Sequence, residues 1–184
     1  MTLTLPPRGV EVVLLALVIA AAVYDVRYRR IPNWVSVGGA AIGIALNAFL
    51  GPPMFGWAFA LKGLGLGFGA YFVLYLLHAM GAGDVKMMAA VGSLVGWADW
   101  VGIFVLTAIL GGIAAICLAT MRKRLGRTLW NVGFILSELK GGRPAYLGRE
   151  ELDVKSSKAL GLPHGAVIAL ATGCFLGMSA YFTR

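Results

Sequence analysis

The sequence predicts an all-α, polytopic membrane protein with about six transmembrane helices. Three observations carry that prediction. Of 184 residues 59% are hydrophobic and only 13% charged, with a mean hydropathy of +0.83, whereas a soluble domain carries about 25% charge. Apolar runs of membrane-crossing length recur along the chain. The basic residues gather on alternate joints between those runs.

The expected helices run over 8–25, 33–50, 57–79, 85–97, 100–120 and 163–182. Pro6 and Pro7 open the first, because a fixed φ and a missing N–H are tolerated at a helix start. No small-residue cleavage site precedes the charges after it, so it is read as a retained helix and not a signal peptide. Pro32 and Asn33 start the second. "LGPPMFG", 50–56, turns the chain into the third. The fourth, at 13 residues, is short for a crossing, which takes about 20. It is expected to turn at "WADW", 97–100, and return as the fifth. The chain is expected to form a single membrane-embedded domain over 1–184, with 121–162 as a cytoplasmic segment.

Charge supports this count. With the N-terminus outside, the inner joints hold Arg27, Arg29 and Arg30, then Lys86, then nine basic residues over 121–162. Only Arg8, Lys62 and Arg184 fall outside. That is the positive-inside pattern. A single crossing over 85–120 would put the nine-charge segment outside. The net charge of +8 is therefore a topology and lipid-surface signal, and no nucleic-acid partner is expected.

Within 121–162, Leu125, Leu129, Val132, Leu136 and Leu139 recur at helical spacing, widened by Trp130 and Phe134. Arg127, Asn131, Glu138 and Lys140 are their polar companions. The pattern fits a helix on the membrane surface or one docked on the bundle. The stretch after it reads as a polar loop. In the third helix, Gly63/Gly67 and Gly65/Gly69 form two overlapping G-x-x-x-G pairs, which let helices approach closely in lipid. Cys117 and Cys174 form no C-x-x-C pair and read as packing residues.

Two acids then stand out. Glu138, Glu150, Glu151 and Asp153 lie in the polar segment, and Glu11 and Asp99 near the outer face. Asp25 and Asp84 remain, both at the inner boundary, and an ionisable residue at membrane depth is a functional candidate. Asp84 is also explicable as a helix N-terminal cap. Asp25 ends its helix, where the macrodipole disfavours an anion, so capping does not account for it. Its structural alternative is an ion pair to Arg27, Arg29 or Lys86. Two adjacent carboxyls share a proton. The ionised one can take a proton from water, while the protonated one polarises a carbonyl and donates to the leaving amine. No metal or other cofactor is expected. The histidines, His78 and His164, both fall at the inner face, where either could approach the site.

"YDVRYRRIPN", 24–33, and "GAGDVK", 81–86, resemble the motifs of type IV prepilin peptidases, aspartyl proteases of the GxGD class. Asp25, Arg27, Arg29, Ile31, Pro32 and Asn33 match the first motif. Gly81, Gly83, Asp84 and Lys86 match the second. "LPHGAVIALATG", 162–173, with Pro163, looks like the opening of the family's final helix. The resemblance implies Asp25 and Asp84 as catalytic aspartates in the bacterial cytoplasmic membrane, facing the cytoplasm. It implies a prepilin or pseudopilin substrate with a short basic leader, a glycine before the cut and an apolar helix after it. That helix would lie in the lipid bilayer, and pilus or secretion assembly components are candidate further partners. Gly81 and Gly83 are expected to allow unusual backbone angles and to dock an extended substrate strand. Lys86 and Arg27 are expected to bias the carboxylates or orient the loop. The chain lacks the cysteine-containing insertion of larger members, so methyltransferase activity is not expected. It looks similar to the short peptidases of tight-adherence (Flp-type) pili. The rival readings are a small proton- or cation-coupled transporter, a non-catalytic secretion subunit and a presenilin-like or preflagellin peptidase.

Overall fold

The structure, a computed structural model, describes residues 7–49, 56–123, 125–140 and 162–182. The elements are α1 (Arg8–Tyr28), α2 (Asn33–Phe49), α3 (Trp57–Leu76), α4 (Ala82–Met121), α5 (Leu125–Lys140) and α6 (His164–Phe182). The expected all-α architecture is what forms. Among the described residues four helices, α1, α3, α4 and α6, are long and apolar enough to cross a membrane, and α2 is a shorter apolar helix of 17 residues. The chain is a multi-pass membrane protein. Pro6, the turn at 50–55 and the polar loop after residue 140 lie outside the described residues.

The expected fourth and fifth helices both form, as the two limbs of α4 on either side of a non-helical break at Gly96. In a straight helix Met88 and Trp100 would stand about 18 Å apart. Instead Trp100 Nε1 donates to the Met88 carbonyl at 3.0 Å, so the chain doubles back. The reversal sits at Gly96, one residue before the expected "WADW" turn, whose residues already belong to the second limb. The reason is stereochemical. Gly96 has φ 76° and ψ 180°, a conformation open essentially to glycine alone. A side chain there would also run into the Phe59 ring. Carbonyls near a broken helix end need outside donors. Asn47 supplies one, its Nδ2 lying 2.9 Å from the Ser93 carbonyl and 3.1 Å from that of Leu94.

The first limb of α4 is the centre of the bundle. Val85 and every residue from Met87 to Gly96 are buried. A limb of some 14 residues is about 21 Å long, against a hydrocarbon core of about 30 Å. Protein sheathes it, so it need not match the lipid. Apolar burial gives little drive between helices in lipid, where close packing and hydrogen bonds hold them. Small residues supply that closeness. A Cβ on Gly63 would strike the Gly92 carbonyl, and one on Gly67 the Met88 carbonyl. Gly65 and Gly69 face open space. Of the two G-x-x-x-G pairs, then, only Gly63/Gly67 forms the α3–α4 seam. On α2, Ser36, Gly39, Gly43 and Asn47 make a second small-residue face, with Gly39 against Leu17 of α1 and Gly43 against Ser93 and Leu94 of α4.

These contacts sort the bundle into two ends. Asn47, Phe59 and Gly96 meet at one. At the other, Gly83 packs on Ile31, Gly165 on Asp25 and His164 near Gly111. The second limb of α4 runs antiparallel to α6, since Gly102 meets Phe175 and Gly111 meets Val167. α5 forms where the apolar spacing predicted a helix. Its Leu125, Leu129, Trp130 and Val132 are exposed and not docked on the bundle. The side chains of Arg127, Leu136, Glu138, Leu139 and Lys140 lie outside the described residues.

Candidate active site

Asp25 and Asp84 come together at the end of the bundle that holds the α1–α2 joint. Asp25 lies in the last turns of α1, which Arg29 closes in the left-handed conformation (φ 53°), its N–H donating to the Asp25 carbonyl at 2.9 Å. The Asp25 side chain is 9% exposed. Its Oδ2 accepts the Gly165 N–H at 2.7 Å, in the first turn of α6. Asp84 lies in the first turn of α4, and its Oδ2 accepts the N–H of Gly81, the N-cap, at 3.2 Å. The two carboxylates interact electrostatically.

Asp25 thus corrects its sequence interpretation. It stands at the C-terminal end of its own helix, where a negative charge is disfavoured, yet it caps the N-terminus of α6 across the bundle. Each aspartate therefore meets the positive end of a helix, Asp84 its own and Asp25 another. The ion pairs offered as alternatives go elsewhere for two of the three cations. Lys86 Nζ donates to Asn33 Oδ1 at 2.9 Å, and the Arg27 guanidinium lies 5.7 Å from the centre of the Tyr28 ring. Among the described residues the second oxygen of each carboxylate has no hydrogen-bond partner. Neither is a buried atom left unsatisfied.

The other expected site residues shape the frame. Pro32 starts α2 by accepting from the N–H groups of Val35 and Ser36. With Asn33 held by Lys86, the α1–α2 joint is tied to the first turn of α4. Pro163 does the same for α6, accepting from Ala166 and Val167. Gly81 and Gly83 do not use unusual backbone angles. Gly81 is extended (φ −79°, ψ 153°) and Gly83 is helical. What they provide is closeness: a Cβ on Gly83 would sit 3.3 Å from the Ile31 Cβ, and one on Gly81 3.3 Å from Asp84 Oδ2.

Three further residues belong to this cluster. Gly165 is required by the approach to Asp25, since a Cβ there would lie 3.0 Å from the Asp25 Cβ and 3.1 Å from Oδ2. Its place in "LPHG" was visible in the sequence, but its contact with a residue 140 positions away was not. His164 is the histidine that reaches the site, whereas His78 closes α3 in a left-handed conformation (φ 57°). Tyr71 is wholly buried, with its hydroxyl 3.4 Å from His164 Nε2. It falls on the Gly63/Gly67 face of α3, a helical periodicity that by itself signals only packing.

No curated protein and no solved structure was found to match the chain. The type IV leader peptidase family matches residues 12–116, from the first turns of α1 almost to the end of α4. The match covers more than half of the chain and takes in both aspartates, so the protein is a membrane peptidase belonging to the type IV leader peptidase family.

Proposed function

We propose that the protein is an aspartyl endopeptidase of the bacterial cytoplasmic membrane, removing the short basic leader from type IV, Flp-like prepilins or pseudopilins. The observation that carries the proposal is the convergence of Asp25 and Asp84 from separate helices, each held through one oxygen by a backbone N–H. The second oxygens remain for water and the scissile peptide. One carboxylate takes a proton from water, which attacks the carbonyl. The other, protonated, hydrogen-bonds the carbonyl oxygen and then protonates the departing amine. The site faces the cytoplasm, beside exposed Arg27, Arg29 and Arg30. The apolar segment of the substrate lies in lipid while its leader stays in water, so the cut falls at the membrane boundary. The α5 apolar face rests in the same interface.

Co-expression with candidate prepilins, scored for leader loss by mass spectrometry, tests the proposal. Asp25→Asn and Asp84→Asn should each lower cleavage by at least about a hundredfold while the protein stays in the membrane. Near-normal cutting by either variant would refute the dyad.

A further inference from the structure

We propose that Tyr71 and His164 form a positioning pair that ties the helix end carrying Asp84 to the helix turn holding Asp25. The proposal rests on the dyad function above. The bundle has two parts at this end. α1 and α6 hold Asp25, and α3 and α4 hold Asp84, with Gly63 and Gly67 locking α3 to the first limb of α4. Tyr71 lies one turn beyond Gly67 on the same face and is 1% exposed. A tyrosine buried that deeply needs a partner for its hydroxyl, and the partner is His164 Nε2 at 3.4 Å. The hydroxyl donates when His164 carries its proton on Nδ1, and accepts otherwise.

His164 is the residue before Gly165, whose N–H grips Asp25. Holding the imidazole against α3 therefore fixes the α6 turn that orients the Asp25 carboxylate. The pair is also within electrostatic range of the acids, Tyr71 of Asp84 and His164 of Asp25. The Tyr71 ring is itself fixed, edge-on to Phe104 of the second limb at 5.9 Å and 77°. Phe104 stacks on Trp100 at 5.2 Å, which is pinned to the Met88 carbonyl. Tyr71 is thus a rigid post, and His164 is what it holds.

Two measurements on the purified full chain decide the matter. In prepilin cleavage, Tyr71→Phe and His164→Leu should each lower kcat about ten- to a hundredfold, the scale of a small misplacement of reacting groups, with KM within about twofold. The double variant should be no worse than either single one. His164→Gln, which keeps a polar partner for the hydroxyl, should recover most of the loss. Independently of catalysis, spin labels on Val26→Cys and Ala82→Cys, with Cys117 and Cys174 replaced by serine, report the separation of the two helix ends. Tyr71→Phe should broaden or shift that distance distribution. Normal kcat in Tyr71→Phe, multiplying single-variant losses, or a kcat loss with an unchanged distribution would each overturn the proposal. If Asp25→Asn and Asp84→Asn still cleave, the dyad function fails instead, while the distance measurement still decides whether the pair ties the two ends.

Discussion

At the scale of single residues, the site is built from contacts too close for a side chain. Gly165 is the clearest case, because a methyl group there would press on the Asp25 side chain, at 3.0 Å from its Cβ and 3.1 Å from Oδ2. Gly165→Ala is therefore expected to reduce prepilin cleavage at least about tenfold by displacing the carboxylate. Gly173→Ala, on the same helix with nothing within 4 Å, should cleave normally. Assaying both in one membrane preparation separates a site effect from a general effect on α6. The acids themselves were legible in the sequence, because so few occur in so apolar a chain. The partner of Asp25 was not. Its grip by Gly165 depends on how α1 and α6 dock, and local helix electrostatics pointed the other way.

Among the elements, the glycines of α3 show what sequence periodicity can and cannot give. Four glycines at every second position define two helical faces equally well. Only packing chooses between them, and it chooses Gly63 and Gly67. Gly63→Ala and Gly67→Ala should thus lower the thermal stability of the detergent-solubilised protein markedly, through carbonyl clashes with α4. Gly65→Ala and Gly69→Ala should leave it unchanged or raise it by up to about 1 kcal/mol, the helix-propensity gain of alanine over glycine. Thermal unfolding of the four variants checks both halves. The doubling back of α4 was legible from charge balance and span length, and its location to within one residue, while the residue that makes it was not. "WADW" carries polar punctuation, but Gly96 supplies the backbone conformation. Asn47 follows from that: as a polar residue in an apolar helix it gave no hint of the opened carbonyls it serves.

For the whole molecule, the alternation of basic joints and the folded α4 support the proposed orientation. The N-terminus and the turn near Gly96 share one side of the membrane. The α1–α2 joint, the start of α4 and α5 share the other. A reporter active only in the cytoplasm should therefore work when fused after residue 140 and fail when fused after residue 55. The reverse pattern would place the aspartates outside. The all-α, multi-pass architecture was legible because hydropathy is summed over many residues and survives local error. The position of each helix around the central limb was not legible, since it depends on which small residue meets which carbonyl.

The means by which the two carboxylates are held also bears on heredity. Both donors, at Gly81 and Gly165, belong to the peptide backbone, and every amino acid but proline carries such a group. A missense change to any residue but proline cannot erase them as it would an arginine or a serine. Inactivating alleles outside the aspartates should accordingly concentrate where added bulk or proline bends the chain path. The chemistry of the neighbouring side chains is left comparatively free to drift as the peptidase adapts to a new substrate.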